Sequence, residues 1–444
     1  MQPSHDTRTR SGPRVHTGEW RAVGWSLLYF FCILTAYYVM RPVREQLSAA
    51  VGSTQLPWFY AATFLATLAL TPMFGWLVSR WPRRVVVPLV QLFFIACLLC
   101  FVPLFTHQGL LSPRALGVVF FVWVSVFNLF VVSVFWSFMS DIWDQDQAAR
   151  LFPLIAVAGT AGAVTGPVIT RSLVEVIGVA PLLVVSATLL AVATGCVVAL
   201  GRWARVHGAR RHQAGHEDAV GGGMFDGLRQ IVVNPFMRGM AVLLLLADGI
   251  GTVNYALVTD YSGQTFADAV ARTRFAANAD LAVNLLIAII QVTLTRWLLP
   301  RKGPGPVIAI WAAACVAVLA LVVFAPDPHA TLWVLPGLGL PMAPVVIALV
   351  VSRALAYGMA EPARHSLYTR VPRSVRYKGQ NAVDTAVWRL GDVSIALGMN
   401  GLRALGVGVA GFAGLSALAA LTAATIAGRL ARRAFTSEPA ATTR

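Results

Sequence analysis

Two arginines close to a pair of tyrosines are the first residues in this chain that could bind a ligand. The segment YYVMRPVRE places Tyr37, Tyr38, Arg41 and Arg44 directly after a long apolar run. If one helix continues past Pro42, the arginines lie on one face with the tyrosines one turn below. Guanidinium groups bind phosphate or carboxylate oxygens through paired hydrogen bonds and stay charged. The cluster suits an anion site, and an anchor at the lipid headgroups is the alternative.

A second set of charges lies in the last third of the chain. Arg353 falls inside an apolar run without an acidic neighbour, which makes it a further candidate ligand for an anion. The other charges of this set are Glu361, Lys378, Asp384, Arg389 and Asp392. Opposite charges this close either pair along a helix or hold a solute, and the sequence leaves both open.

Three acids could carry a proton. Asp141, Asp248 and Asp384 each lie in or at the end of an apolar run. A carboxyl group in that environment either titrates or bonds a neighbouring helix. Asp248 shares its run with Asn254 and Tyr255, so both roles stay open there.

These charges stand out because the rest of the chain is apolar. Hydrophobic residues make up 57% and charged residues 12% of the sequence, with a mean hydropathy of +0.69. A helix needs about 20 apolar residues to cross a bilayer core of roughly 30 Å, and its backbone must pair internally. We therefore predict an all-α membrane protein with about twelve transmembrane helices. The spans run over roughly 20–40, 56–79, 85–105, 115–140, 151–170, 180–201, 236–260, 277–299, 305–325, 343–361, 380–401 and 405–430.

The stretch before the tenth span is ambiguous. LWVLPGLGLPMAP contains three prolines and two glycines. The region 326–345 could therefore be a loop, a broken helix or a re-entrant turn.

Internal repetition divides the chain into two six-helix halves. The basic turn after Gly75 has an echo at Thr295 to Lys302, and Asp141 at the end of span four is matched by Glu361 at the end of span ten. The predicted units are an N-terminal tail 1–19, a first half 20–201, a central loop 202–235, a second half 236–430 and a C-terminal tail 431–444.

The net charge of +16 is a signal of topology. Lys and Arg gather in alternate loops, which predicts cytoplasmic termini in a multi-pass protein of the cell inner membrane. Because the basic residues are spread over many loops, no nucleic-acid partner is expected. The five cysteines lie in apolar runs without metal-ligand spacing, and no Walker-type loop or nucleophile elbow occurs. We expect no metal, no cofactor and no catalytic residue.

The turn after span two resembles a loop signature of the major facilitator superfamily. The matching residues are Gly75, Leu77, Arg80, Arg83 and Arg84, whereas Ser79 and Pro82 depart from the signature. Span five adds Gly162, Gly166 and Pro167, which resemble a glycine-proline signature of the antiporters in that superfamily. The resemblance implies a major facilitator-like fold and a gating or coupling role for these residues. A plain packing role for the glycines is the alternative.

Three longer strings resemble the ATP/ADP translocase family and still more its free-living bacterial relatives. They are YYVMRPVREQL, FWSFMSDIWDQDQAARLFPLIAVAGTAGAVTGP and EPARHSLYTRVPRSVRYKGQNAVDTAVWRLGD. The resemblance implies roles in transport for Arg44, where the family has Lys, for Asp141 and for Lys378. In span seven, Leu257 or a neighbour stands where the family has an acid.

The sequence therefore predicts a secondary transporter that moves an organic anion by alternating access. A nucleotide such as ATP or ADP, or another phosphorylated solute, is the first candidate, and the resemblance implies antiport. Its expected partners are this small anionic solute and the lipid bilayer, and a monomer is expected. The alternatives are transport of a non-nucleotide solute, a partner or sensing role without transport and, less favoured, a membrane enzyme acting on a lipid-linked substrate.

Overall fold

Long helices make up almost all of the structure, a computed structural model that describes residues 18–81, 83–107, 111–207, 231–368 and 383–436. The first half contains α1 Trp20–Val51, α2 Leu56–Arg80, α3 Arg83–Thr106, α4 Pro113–Ile142, α5 Gln145–Ile177 and α6 Ala180–His207. The second contains α7 Pro235–Thr265, α8 Ala269–Lys302, α9 Pro304–Phe324, α10 Pro344–Tyr368, α11 Trp388–Ala404 and α12 Val409–Thr436. Single π turns lie within α8 at Gln291–Thr295 and within α10 at Ala356–Ala360, and a third, Val383–Val387, leads into α11.

Eleven helices in the described part of the chain are long and apolar enough to cross a membrane, which confirms the predicted fold class. The exception is α11, which has 17 residues and carries Arg389 and Asp392. Large apolar side chains such as Leu65, Phe93 and Ile289 are more than half exposed on the outer surface of the bundle. Proteins surrounded by water rarely expose so large an apolar surface, whereas a bilayer covers it.

Several helices extend beyond the predicted spans. The first continues to Val51 although its apolar run ends near residue 40, and α8 begins at Ala269 instead of near 277. Hydropathy ends a span at its first charges, but a helix continues when neighbouring helices bury those charges. Arg41, for example, is only 6% exposed.

The region before α10 is a β-hairpin, which the sequence did not predict. Strand β1, Trp333–Leu335, pairs antiparallel with β2, Leu340–Met342. Gly337 and Gly339 form the turn with φ angles of +76° and +62°, in the left-handed region that favours glycine. This hairpin is the one departure from the all-α prediction among the described residues.

The buried apolar side chains form two clusters, one within the first half and one mainly in the second half that also includes Leu56, Phe59 and Phe121 of the first. In the first half, α1 packs on α4, α5 and α6; in the second, α12 packs on α7 and α9. The halves meet where α1 packs on α7 and α8, where α5 packs on α8 and where α2 packs on α11. The predicted domain boundaries stay predictions, because the tails 1–17 and 437–444 and the loop residues 208–230 lie outside the described residues.

Glycines on α5 allow its backbone to touch α1. A Cβ atom added to Gly162 would lie 2.6 Å from the Phe31 carbonyl oxygen, and one added to Gly166 would lie 2.5 Å from the Tyr38 Cβ. Small residues permit this close approach between membrane helices. The structure therefore supports the packing role for these glycines, and Pro167 follows them within the same helix.

We expect Gly166→Ala to lower the melting temperature of the purified protein. The added methyl group meets α1 backbone and a Cβ that cannot move aside, and overpacking of this kind costs about 1–3 kcal/mol. The matched control is Gly195→Ala in α6, where an added Cβ has nothing within 4 Å. Equal melting temperatures for the two variants in a detergent thermal-unfolding assay would contradict this packing account.

Candidate functional site

A cavity of about 310 Å³ lies between the two halves. In the first half, α1, α2 and α4 line it; in the second half, α7, α9, α10 and α11 do. Seven of the predicted site residues are on its wall: Tyr37, Arg44, Asp248, Arg353, Glu361, Arg389 and Asp392. Charges from distant parts of the sequence thus face one space, which only the packing of the halves creates.

Three of the four arginines on the cavity wall have acidic partners. Arg44 contacts Glu45, with 2.6 Å between Nη2 and Oε1. Arg364, which the sequence analysis did not select, pairs with Glu361 and also with Asp384, the latter at 2.8 Å. The third is Arg389, which lies 3.7 Å from Asp392 on the same helix. Their charges are therefore largely balanced within the protein.

Arg353 differs from the other three. It projects from α10 into the cavity, and no carboxylate of the described residues lies within ion-pair distance of it. The π turn that follows at Ala356–Ala360 shifts the phase of the helix beside this position. Two carbonyl groups of this π turn accept hydrogen bonds from side chains of α8. Thr295 donates to the Gly358 oxygen at 2.7 Å, and Gln291 donates to the Tyr357 oxygen at 3.3 Å.

Arg41 does not line the cavity but joins a buried charge network across the halves. Its Nη2 lies 3.4 Å from Oδ1 of Asp280 on α8, and its Nε lies 3.5 Å from Glu45. Glu45 also contacts Arg44 and accepts a hydrogen bond from Tyr255 of α7. The predicted role of Arg41 as a substrate ligand is untested, but its charge is committed to these two acids. Tyr38 lies beneath it, with the ring centre 5.6 Å from the guanidinium carbon.

Sequence reasoning missed Asp280 and Glu45 as members of this network. Asp280 is 5% exposed and lies close to Asn278 and Asn284 in α8. Asp280 could have been found in the sequence, because it is an acid inside an apolar run and Asp248 was selected for that same reason. The cavity also has aromatic walls that no single motif indicates; they are Tyr60, Phe121, Trp311, Tyr357 and Trp388.

Asp384 forms its ion pair with a residue of another helix. The sequence places it two turns before Asp392 on one helix, but the structure has a π turn at Val383–Val387 and joins Asp384 to Arg364 of α10. Lys378 lies outside the described residues.

The loop residues predicted to gate transport are not among the described residues that line the cavity. Gly75 is in α2. Arg80 is the last residue of that helix, and its guanidinium carbon lies 5.6 Å from the ring centre of Trp76. Arg83 and Arg84 begin α3. Asp141 is exposed near the end of α4 and takes part in side-chain interactions there. The gating or coupling roles of these residues stay predictions.

Polar contacts join the halves at the end of the bundle where α1 and α7 finish. Asp260 accepts hydrogen bonds from the Ser53 amide at 2.9 Å, from the Ser53 hydroxyl at 2.6 Å and from Arg403 at 2.9 Å. Asn400 donates to the Thr54 carbonyl oxygen at 2.8 Å. The cavity extends in the other direction, toward Glu361 and Arg364 near the end of α10. One end is therefore held together by side chains from both halves.

A bundle of membrane helices in two packed halves, with a charged cavity between them, has the architecture of a solute transporter. The chain belongs to the major facilitator superfamily, since the model of the family described as "Major Facilitator Superfamily" matches residues 25–393. It is thus a secondary transporter of a small solute. No curated protein sequence matches the chain.

Solved structures show the same fold. A nucleoside transporter, NupG, superposes with a TM-score of 0.62 at 14% identity, covering 95% of this chain and 100% of its own. A POT family transporter, PepTSo, gives 0.61 at 14% identity over 94% of this chain and 99% of its own. A bacterial homolog of the human lysosomal transporter Spinster gives 0.54 at 13% identity over 95% and 97%. The major facilitator part of the predicted resemblance is confirmed, whereas the ATP/ADP translocase part stays a prediction.

Proposed function

We propose that this protein moves an organic anion across the cell inner membrane, with a phosphorylated solute such as a nucleotide as the first candidate. The observation that carries the proposal is Arg353, a guanidinium group on the cavity wall without a carboxylate partner among the described residues. A charge kept in a membrane protein without a partner is costly unless a ligand or water meets it. An anionic solute would supply the missing counter-charge.

The chemistry of the wall narrows the class of anion. A guanidinium group matches the oxygens of phosphate in a paired geometry. Tyr60, Trp311 and Trp388 offer apolar faces on which a planar base could stack. A solute with a phosphate at one end and an aromatic ring at the other uses both features. The most specific version of this proposal is the exchange of ATP for ADP. The position of Arg44 on the cavity wall supports it.

The contacts between the halves support alternating access as the mechanism. Asp260, Ser53 and Arg403 hold one end together, and the cavity extends toward the opposite end. Breaking these hydrogen bonds while the other end closes would expose the same cavity to the other side. The basic loops predict cytoplasmic termini, and with that orientation the joined end would face the outside.

The first test is a screen of thermal stability on the detergent-purified protein. The probes are ATP, ADP, inorganic phosphate, glucose 6-phosphate and succinate, because a ligand that prefers the folded state raises its melting temperature. At a concentration about 100 times the Kd, the stabilisation is about 2.7 kcal/mol. We expect the phosphorylated probes to raise the melting temperature. A shift with succinate alone would keep the anion proposal and reject the phosphorylated class, and no shift with any probe would reject both.

A further inference from the structure

Two carboxyl groups from different helices meet on the wall of the cavity. Asp248 of α7 and Asp392 of α11 lie where these two helices touch: a Cβ atom added to Gly391, the neighbour of Asp392, would lie 3.9 Å from Oδ2 of Asp248. Asp392 also accepts a hydrogen bond from the Thr252 hydroxyl at 3.2 Å and lies 3.7 Å from Arg389. The Oδ2 atom of Asp248 is buried and receives no hydrogen bond from the described residues.

One proton would satisfy this arrangement. Two neighbouring ionised carboxylates only accept hydrogen bonds, so they repel each other. If one of them is protonated, its O–H group donates to the other, as in pairs of carboxyl groups that share a proton. The buried Oδ2 atom of Asp248 is then no longer without a partner.

The surroundings of the pair supply too little positive charge to hold both acids ionised. The titratable or charged groups that share this part of the cavity wall are Tyr60 of α2, Arg353 and Tyr357 of α10, and Arg389 of α11. On other helices that pack against α7, charges lie further away along the bundle. The charges of α1 are Arg44 and Glu45, which lie near Tyr255, two turns beyond Asp248. The charges of α12 are Arg429 and Arg432, in the last third of that helix. Among the described residues, Arg389 is thus the one cation within ion-pair distance of either acid.

A metal ion fits this site less well than a proton. Among the described residues, no group of three His, Cys, Asp or Glu side chains gathers closely enough to hold a metal. Hard cations such as Ca²⁺ take six to eight oxygen ligands. Two carboxyl groups and one hydroxyl group, with an arginine beside them, do not provide such a shell.

We infer that Asp248 and Asp392 together bind one proton and that this proton is transported in the same direction as the anion. The inference rests on the proposed function, because it assigns the coupling ion of that same cavity. An anion that enters the cavity adds negative charge and competes with Asp392 for Arg389, and both effects favour protonation of the pair. By linkage, the bound proton favours the anion equally. Such mutual support produces symport, whereas the resemblance to nucleotide exchangers implies antiport.

Proton binding can be tested without any solute. Infrared spectra of the full-length protein in lipid, recorded across a pH titration, show the C=O stretch of a protonated carboxyl group. We expect one such band to titrate in the wild type and to disappear in both Asp248→Asn and Asp392→Asn. Asp146→Asn is the matched control, because Asp146 is exposed in the first turn of α5 and lies outside the cavity wall. A band that persists unchanged in Asp248→Asn overturns the inference. Should an Asn variant fail to fold, Asp248→Glu keeps the carboxyl group, and its band must shift if the assignment is right.

Coupling is tested in proteoliposomes with ADP and inorganic phosphate as probes. With the membrane potential held at zero, one proton per solute and a gradient of one pH unit drive at most about tenfold accumulation, whatever the charge of the anion. We expect accumulation toward the alkaline side in the wild type and its loss in Asp248→Asn, with exchange against preloaded solute retained. Flux that ignores the pH gradient overturns the inference and leaves the proposed function standing. An infrared band that titrates, without flux of either probe, supports the proton site and contradicts the proposed function.

Discussion

Replacement of Arg353 by alanine is expected to weaken anion binding to the cavity by about 30-fold or more. Truncating one member of a desolvated, hydrogen-bonded charge pair costs about 2–5 kcal/mol, and each 1.4 kcal/mol is a factor of ten in Kd. Among the arginines on the wall, Arg353 is the one that forms no ion pair with a described acid, whereas the other three are engaged by acids and would compensate poorly for its loss. The measurement is the Kd from thermal-shift titrations with the probes that stabilise the wild type.

Two further variants separate charge from geometry. Arg353→Lys keeps the charge but loses the paired geometry, so its Kd should lie between those of the wild type and Arg353→Ala. Arg301→Ala is the control for loss of an arginine, because Arg301 stacks on Trp297 at 4.8 Å and does not line the cavity. An unchanged Kd in Arg353→Ala would remove the main support for an anion site. An equal loss in Arg301→Ala would show that overall positive charge, and not this position, governs binding.

The membrane fold was largely predictable because hydropathy reports helices that face lipid. Each described helix from α1 to α12 overlaps one predicted span. Helix ends were less predictable where charges interrupt the apolar run, as at Arg41 and Arg44. Such charges end the hydropathy signal, whereas the structure buries them against the other half and the helix continues to Val51. The hairpin at Trp333–Leu335 was missed because prolines and glycines indicate only that a helix stops.

The candidate site was predictable in its residue types but not in its pairings. Arg44 and Arg353 were selected because a charge in an apolar run requires a reason, and both line the cavity. The sequence left open whether Asp384 pairs with a charge on its own helix, and a regular helix would put it two turns before Asp392. A π turn adds a residue to one turn and changes which face the earlier side chains occupy, so Asp384 reaches Arg364 instead. The contact of Arg41 with Asp280 joins residues of different halves, and no periodicity within one helix reports such a contact.

The second large prediction concerns the buried ion pair between Arg41 and Asp280. Asp280→Ala is expected to lower the free energy of unfolding by about 3–5 kcal/mol, because it leaves the guanidinium group of Arg41 buried beside only one acid. Arg41 is 6% exposed and Asp280 is 5% exposed, so water cannot replace the lost partner. The effect would appear as a large fall in melting temperature and as poor recovery of monodisperse protein from detergent.

The double variant Arg41→Met, Asp280→Leu decides whether charge is the cause. Apolar side chains of similar size can replace a buried ion pair with little loss, so the double variant should recover most of the stability that Asp280→Ala loses. If it remains as unstable as the single variant, packing and not charge explains the loss. Arg41 and Asp280 belong to α1 and α8 of opposite halves, so their contact must change when the halves move. A stable double variant that still binds anions but no longer transports them would therefore show that the pair takes part in the change between the two access states.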